Sequence, residues 1–263
     1  MNTCIPRNLD ASTWEAVEPH FDELLARDVT TVAALEQWIL DRSELEAACS
    51  EARANLYISM TCDTESSANV DAYMTFEREV VPRLRKIGFE LDKRLVELEK
   101  ACPLEAHRYE VLMRDTRADV EIFRPENIPL QTRCTELEQQ YDSVIGAMMV
   151  EFDGSERTLP QMAKFQEATD RDVRERAWRT VADRRLADAD RLDVIYDDLI
   201  ALRDEMAKNA GFESYLGYNF KARHRFDYTP EDCREFHKAI EAVAVPFARR
   251  LDARRRADLG VEA

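Results

Sequence analysis

Apolar residues recur in steps of three and four along most of this chain, which is the period of a helix that buries one face. Trp14, Val17, Phe21 and Leu24 share such a face, and Ser12 with Glu15 forms a capping-box pattern that opens a first helix there. A second helix follows Thr30 and Thr31, with Leu35, Trp38, Leu45, Cys49, Ala52 and Leu56 on its stripe. Residues 61–69 (TCDTESSAN) carry no apolar period and read as a loop. A long third helix carries Tyr73, Phe76, Val80, Leu84, Ile87, Leu91, Leu95 and Leu98, with Pro82 predicted to kink or interrupt it and Pro103 to end it. A helix over 104–122 comes next, then a proline-marked linker over 124–129, then a helix with Leu137, Tyr141, Val144 and Ile145.

The pattern changes once. Residues 148–159 read as a β-hairpin, because Asp153-Gly154 supplies the positive φ that a tight turn needs between two short runs. Beyond it, Pro160 suits the first turn of a short helix. Thr169 and Asp170 open a long helix whose stripe runs from Val173, Ala177 and Val181 to Leu192, Ile195, Leu199, Leu202 and Met206. Asn209 and Gly211 stop it. Thr229, Pro230 and Asp232 open the last helix, with Phe236, Ile240, Val243, Phe247 and Leu251 on one face and Pro246 as an internal kink. No fixed-period repeat is present. The expectation is an all-α fold, an antiparallel bundle of long helices with one small β-hairpin near 147–159.

Composition sharpens this picture chiefly by exclusion. The 263 residues include 6 Gly and 9 Pro, too few glycines for Gly-rich phosphate loops or a turn-rich β fold. Lys and Arg total 37 against 53 Asp and Glu, a net charge of −16 that argues against a nucleic-acid backbone as partner. No apolar run is long enough for a membrane span, and residues 1–10 lack a signal-peptide core, so the expectation is a cytoplasmic protein with no membrane partner. Cys4, Cys49, Cys62, Cys102, Cys134 and Cys233 are widely spaced with no C-x-x-C pair, and read as small buried residues rather than a disulfide or zinc framework.

The chemistry of the chain begins with its four histidines, His20, His107, His224 and His237. They are followed by Phe21, Arg108, Arg225 and Lys238, so no H-E-x-x-H zinc helix exists. No Glu stands three residues before any of them, and no P-loop or G-x-S-x-G is present. Two clusters carry alternative readings. The aromatic and basic stretch 212–227, ending in His224, Arg225, Phe226 and Asp227, is either a helix connection whose rings fill a joint or a loop that contacts substrate. Arg249, Arg250, Arg254, Arg255 and Arg256 form a solvated face or pair with acids on a neighbouring helix; they lack the aromatic interleaving of an RNA site. Asp188, Asp190, Asp193, Asp197 and Asp198 read as a solvated face rather than converging catalytic carboxylates.

The runs 171–177 (RDVRERA), 199–208 (LIALRDEMAK), 210–215 (AGFESY) and 226–233 (FDYTPEDC), with Phe236, His237, Val245, Pro246, Leu259 and Gly260, resemble the M3 metallopeptidases, nearest the oligoendopeptidase F branch. The hairpin segment 150–159 is similar to the piece that joins that family's N-terminal helical domain to its catalytic domain. The resemblance is collinear from about residue 70 onward. It implies a mostly helical protein with a deep channel, which cleaves short peptides with one Zn2+ held by H-E-x-x-H and a downstream glutamate, the motif's Glu acting as general base. That motif is absent here. The expectation is therefore an N-terminal fragment: a lid-like helical domain over 1–146, then the hairpin and first catalytic-domain helices over 147–263. This chain by itself is expected to bind no zinc and to be inactive. No catalytic or metal residue is carried over, and no substrate-binding residue is assigned. The alternatives are a stand-alone helical interaction module without catalysis and a non-peptidase enzyme that uses carboxylates. An exposed apolar strip along Phe236, Ile240, Val243 and Phe247 is a further expectation.

Overall fold

The computed structural model describes residues 5–6, 9–63 and 65–261, and within these it is mainly helical. Helix α1 (Trp14–Ala26) lays Trp14, Val17, Phe21 and Leu24 against α2 (Val32–Cys62), which contributes Leu35, Trp38, Leu45 and Cys49. The indole N–H of fully buried Trp38 donates to the Leu24 carbonyl at 2.8 Å, so the largest core residue leaves no polar atom orphaned. Helices α4 (Val81–Ala101) and α5 (Ala106–Ile122) close this core with Leu91, Leu95 and Met113.

Several sequence expectations change at this level. The capping box at Ser12 does not form. Ser12 turns back to Asp10, its N–H at 3.1 Å and its hydroxyl at 2.6 Å from Oδ1, and Thr13 takes the N-cap position without a side-chain bond. The loop over 61–69 is shorter than expected. α2 runs through Cys62, the Thr61 hydroxyl donating to the Tyr57 carbonyl at 3.0 Å, and Ser66 caps α3 (Ser67–Thr75). Pro82 does not break its helix. A π-turn over Phe76–Val80 joins α3 to α4, and Val81 N–H bonds back five residues to Phe76 O. Widening the helix there accommodates a residue that has no N–H and whose ring crowds the preceding turn. The linker at 124–129 contracts, because α6 (Asn127–Gly146) starts before Pro129 and holds it in its first turn.

The hairpin forms as expected: β1 (Met149–Phe152) pairs antiparallel with β2 (Ser155–Thr158), and Asp153 and Gly154 both take positive φ. Val150 and Phe152 pack on α7 (Leu159–Gln166) and α8 (Arg171–Leu186). The long helix expected through Met206 is two. It breaks at Ala187 and Asp188, and α9 (Ala189–Asn209) begins there. The stripe had joined two separate cores: Ala177 and Val181 serve the hairpin, whereas Ile195, Leu199 and Met206 face Cys134 and Leu137 of α6. Gly211, at φ +85, lets Phe212 N–H reach back to Ala207 O at 2.9 Å and ends α9.

Beyond α10 (Tyr215–Ala222) the chain forms a long arm, α11 (Pro230–Ala239), a second π-turn (Ile240–Ala244) and α12 (Val245–Leu259). The capping box at Thr229 and Asp232 is present, and the π-turn again precedes a proline, Pro246. No residue of the arm is buried. Phe236 is 64% exposed, Val243 71% and Phe247 53%, so the expected apolar strip is open. The arginines of α12 are exposed, and the two ion pairs they show, Arg254 with Asp258 and Arg255 with Asp252, lie within the same helix. Cys49, Cys102 and Cys134 are buried, but Cys62 is exposed and Cys233 half-buried, so the reading of the cysteines as core residues fails at those two; Cys4 lies outside the described residues.

Candidate functional site: two clefts at the α5–α10 junction

Helix α5 presents Asp115 and Asp119 one turn apart, and the residue placed between them comes from the end of α10. His224 Nε2 lies 2.8 Å from Asp119 Oδ1 and Nδ1 lies 3.6 Å from Asp115 Oδ2. His224 takes the left-handed conformation, φ +52, at the position where a helix usually ends in glycine. The reversal is sealed by Arg225 N–H to Phe220 O at 2.9 Å and His224 N–H to Lys221 O at 2.9 Å. The two carboxylates hold in place a backbone turn that disfavours a side chain.

On one side of this clamp opens a cleft of about 870 Å3 between the end of α4, α5 and residues 221–226. Met113, Arg114, Arg117, Lys221 and Phe226 line it. Arg114 sits over the Phe226 ring at 4.7 Å from its centroid, with its Nη1 3.7 Å from Asp227 Oδ1. Lys221 pairs with Glu121. The reading of 212–227 as a joint filled by rings holds for its first part. Tyr218 is buried against Ile122, Ala207 and Ala210, with Phe212 and Tyr215 packed on it as a joint, whereas Phe226 lines open space.

On the other side lies a smaller cleft, about 350 Å3, between α4, α5, α6 and α10. Its ionisable groups are mostly spent. Asp92 pairs with Arg42 at 2.7 Å, although burial still raises its pKa above the usual carboxylate value. Arg124 donates to the backbone carbonyls of Asn209, Glu121 and Phe123. Asn127 donates to Met206 O at 3.0 Å and accepts from Asn209 at 2.9 Å. Arg85 is different: among the described residues it makes no hydrogen bond or ion pair. Burial, and then the nearby Arg53 charge, lower its pKa. Neither Arg85 nor its cleft stood out in the sequence. Arg85 lies beside Leu84 and Ile87 on α4, and the groups that enclose it come from helices far along the chain.

His20, His107, His224 and His237 lie on or after α1, α5, α10 and α11 respectively. Among the described residues, no three His, Cys, Asp or Glu side chains are placed to hold a metal ion. The zinc implied by the resemblance finds no ligand set among the described residues. Asp190, Asp193, Asp197 and Asp198 are exposed on α9 rather than convergent, and Asp188 at its start pairs with Arg184. Among the described residues, no helix is long and apolar enough to cross a membrane.

Two sequence models of one family match the chain, the peptidase M3 N-terminal domain over residues 8–123 and peptidase family M3 over 164–262. The chain belongs to peptidase family M3. No curated protein matches the sequence. Among solved structures, a Bacillus anthracis str. Ames protein described as an oligoendopeptidase F superposes with a TM-score of 0.89 at 23% identity, over 97% of this chain and 47% of that one. PZ peptidase A, solved with an inhibitor, gives 0.87 at 24% identity, over 95% of this chain and 45% of that one. A second structure described as an oligoendopeptidase F gives 0.86 at 22%, over 97% and 46%. These likenesses establish the fold. The chain spans less than half the length of each.

Proposed function

We propose that this chain is the N-terminal part of a zinc-dependent oligoendopeptidase that hydrolyses short peptides in the cytoplasm. Residues 1–146 would form the lid-like helical domain, and 147–263 the hairpin and first helices of the catalytic domain. Helix α6 crosses that division by packing on α9. The family match supports a peptidase. The observation that carries the reading is the arm. It presents an apolar strip that is exposed among the described residues, while each similar structure contains about as much polypeptide again. In this reading the remaining catalytic domain covers the strip and brings the metal, and this chain supplies channel wall. An exposed strip of this kind marks a surface built to be covered.

The test is the mass and metal content of the protein as its cell makes it, with a fluorogenic-peptide assay on the 263-residue chain. A mass near twice 30.5 kDa with about one zinc per chain, and no chelator-sensitive turnover by the 263-residue chain, is the expected result. Chelator-sensitive cleavage by this chain alone overturns the division of labour. A mass of 30.5 kDa without zinc replaces it with a helical module that binds a partner.

A further inference from the structure

Mid-helix glycine is costly to a helix, and where it occurs the structure usually gives a reason. Gly88 lies in the middle of α4, and a Cβ built on it meets nothing within 4 Å. Close packing therefore does not require glycine here. What its missing side chain leaves open is space: Gly88 borders both the 350 Å3 cleft and a second cavity of about 290 Å3 between α2 and α4. Arg85, one turn earlier on the same helix, borders the same two spaces.

Among the described residues Arg85 makes no direct ion pair, and the Glu77 carboxylate acts on it only at longer range. Glu77 is taken by Arg53, with Nε to Oε1 at 2.5 Å and Nη2 to Oε2 at 3.0 Å. Asp92 is held by Arg42, and Asp119 by His224. A guanidinium offers two parallel donors whose geometry matches a carboxylate. Arg85 is half-buried, and partial burial lowers the local dielectric and strengthens an anion's hold once it arrives. Beside it the cleft offers the stacked pair Phe89 and Phe123, with ring centroids 4.0 Å apart. The amide of Gln131 and the hydroxyl of Tyr218 complete the wall. The cleft thus joins a cation with no direct partner, two carboxylates already engaged by Arg42 and His224, and an aromatic surface.

We propose that this cleft binds a small carboxylate anion with an apolar or aromatic body, the carboxylate on Arg85 and the body against Phe89 and Phe123. The inference does not depend on the peptidase reading. Such a carboxylate belongs either to the C-terminus of a peptide or to a free organic acid, and the probes separate these sources.

The experiment titrates the 263-residue chain with N-acetyl-phenylalanine, its C-terminal amide and 3-phenylpropionate, by calorimetry and by shift in melting temperature. The acids should bind saturably and raise the melting temperature, and the amide should do neither. Arg85→Gln should weaken the acids by about tenfold or more, with unchanged helical circular dichroism and an equal or higher melting temperature without ligand. Gly88→Leu, which fills the cleft and leaves Arg85 in place, should abolish binding of both acids. Tighter binding of N-acetyl-phenylalanine than of 3-phenylpropionate upholds the site and assigns it to peptide termini. The reverse order, or equal binding, upholds it and assigns it to free acids. Absence of saturable acid binding, equal binding of acid and amide, or full acid affinity in folded Arg85→Gln overturns the proposal.

Discussion

The first core and the C-terminal arm are both built from amphipathic helices, yet only one of them buries its stripe. Phe21, Leu35, Trp38, Leu91 and Leu95 are essentially inaccessible to water. Phe236, Val243 and Phe247 repeat at the same helical spacing and stay more than half exposed. Hydrophobic periodicity thus specifies a helix with a face, and says nothing about where the surface that covers the face resides. In the first core the cover is other helices of the same chain. On the arm it is not among the described residues.

Substitutions measure this contrast, and the largest effect belongs to the buried side. Trp38→Ala should cost about 4 kcal/mol in denaturant unfolding, because it leaves a large cavity and frees the Leu24 carbonyl. A loss below that of an exposed substitution would show that the first core is not a cooperative unit. Glu77→Gln comes next. The Glu77 carboxylate is 1% exposed and takes two bonds from Arg53, which is itself 45% exposed, so about 2 kcal/mol is expected once solvent screening of Arg53 is allowed for.

Acid sensitivity gives a smaller effect. Arg78 first, and Arg133 after it, hold the Glu136 carboxyl below its usual value. A carboxylate with a lowered folded pKa contributes stability above its ordinary pKa and loses that contribution as pH falls through the folded value. Urea midpoints for Glu136→Gln should therefore lie about 0.5 kcal/mol below those of the parent near neutral pH and converge with them in acid. A gap that persists in acid would break the assignment. The smallest stability change belongs to the arm: Phe236→Ser with Phe247→Ser should alter unfolding by less than about 0.5 kcal/mol. The same pair should clearly reduce binding of a hydrophobic dye. A large loss of stability would mean the strip is packed in solution.

What could be read from the sequence follows from how local the cause is. The hairpin at Asp153 and Gly154, the cap at Thr229 and the stop at Gly211 depend on a few adjacent residues, and all appear where expected. The break at Ala187 and Asp188 was hidden because Val181 and Ile195 keep helical spacing across it while serving different cores. Pro82 and Pro246 signalled disturbance, but not its form as a wider turn that keeps the helix running. The family resemblance rested on collinear runs, and the matched ranges bear it out. The Arg85 cleft was invisible because its character depends on what Arg85 lacks, and that emerges only after Glu77, Asp92 and Asp119 have found other partners.

The wide turn over Ile240–Ala244 also governs the direction of the strip. From Phe236 to Leu251 is 15 positions. In an unbroken α-helix, at about 100° per residue, a stripe of that length overshoots four full revolutions by roughly 60° and drifts sideways around the cylinder. A turn that takes up extra residue per revolution returns part of that drift. The five side chains then run as a nearly straight keel along the arm. A keel of this shape mates with a surface lying lengthwise beside it and rejects one that must coil around it.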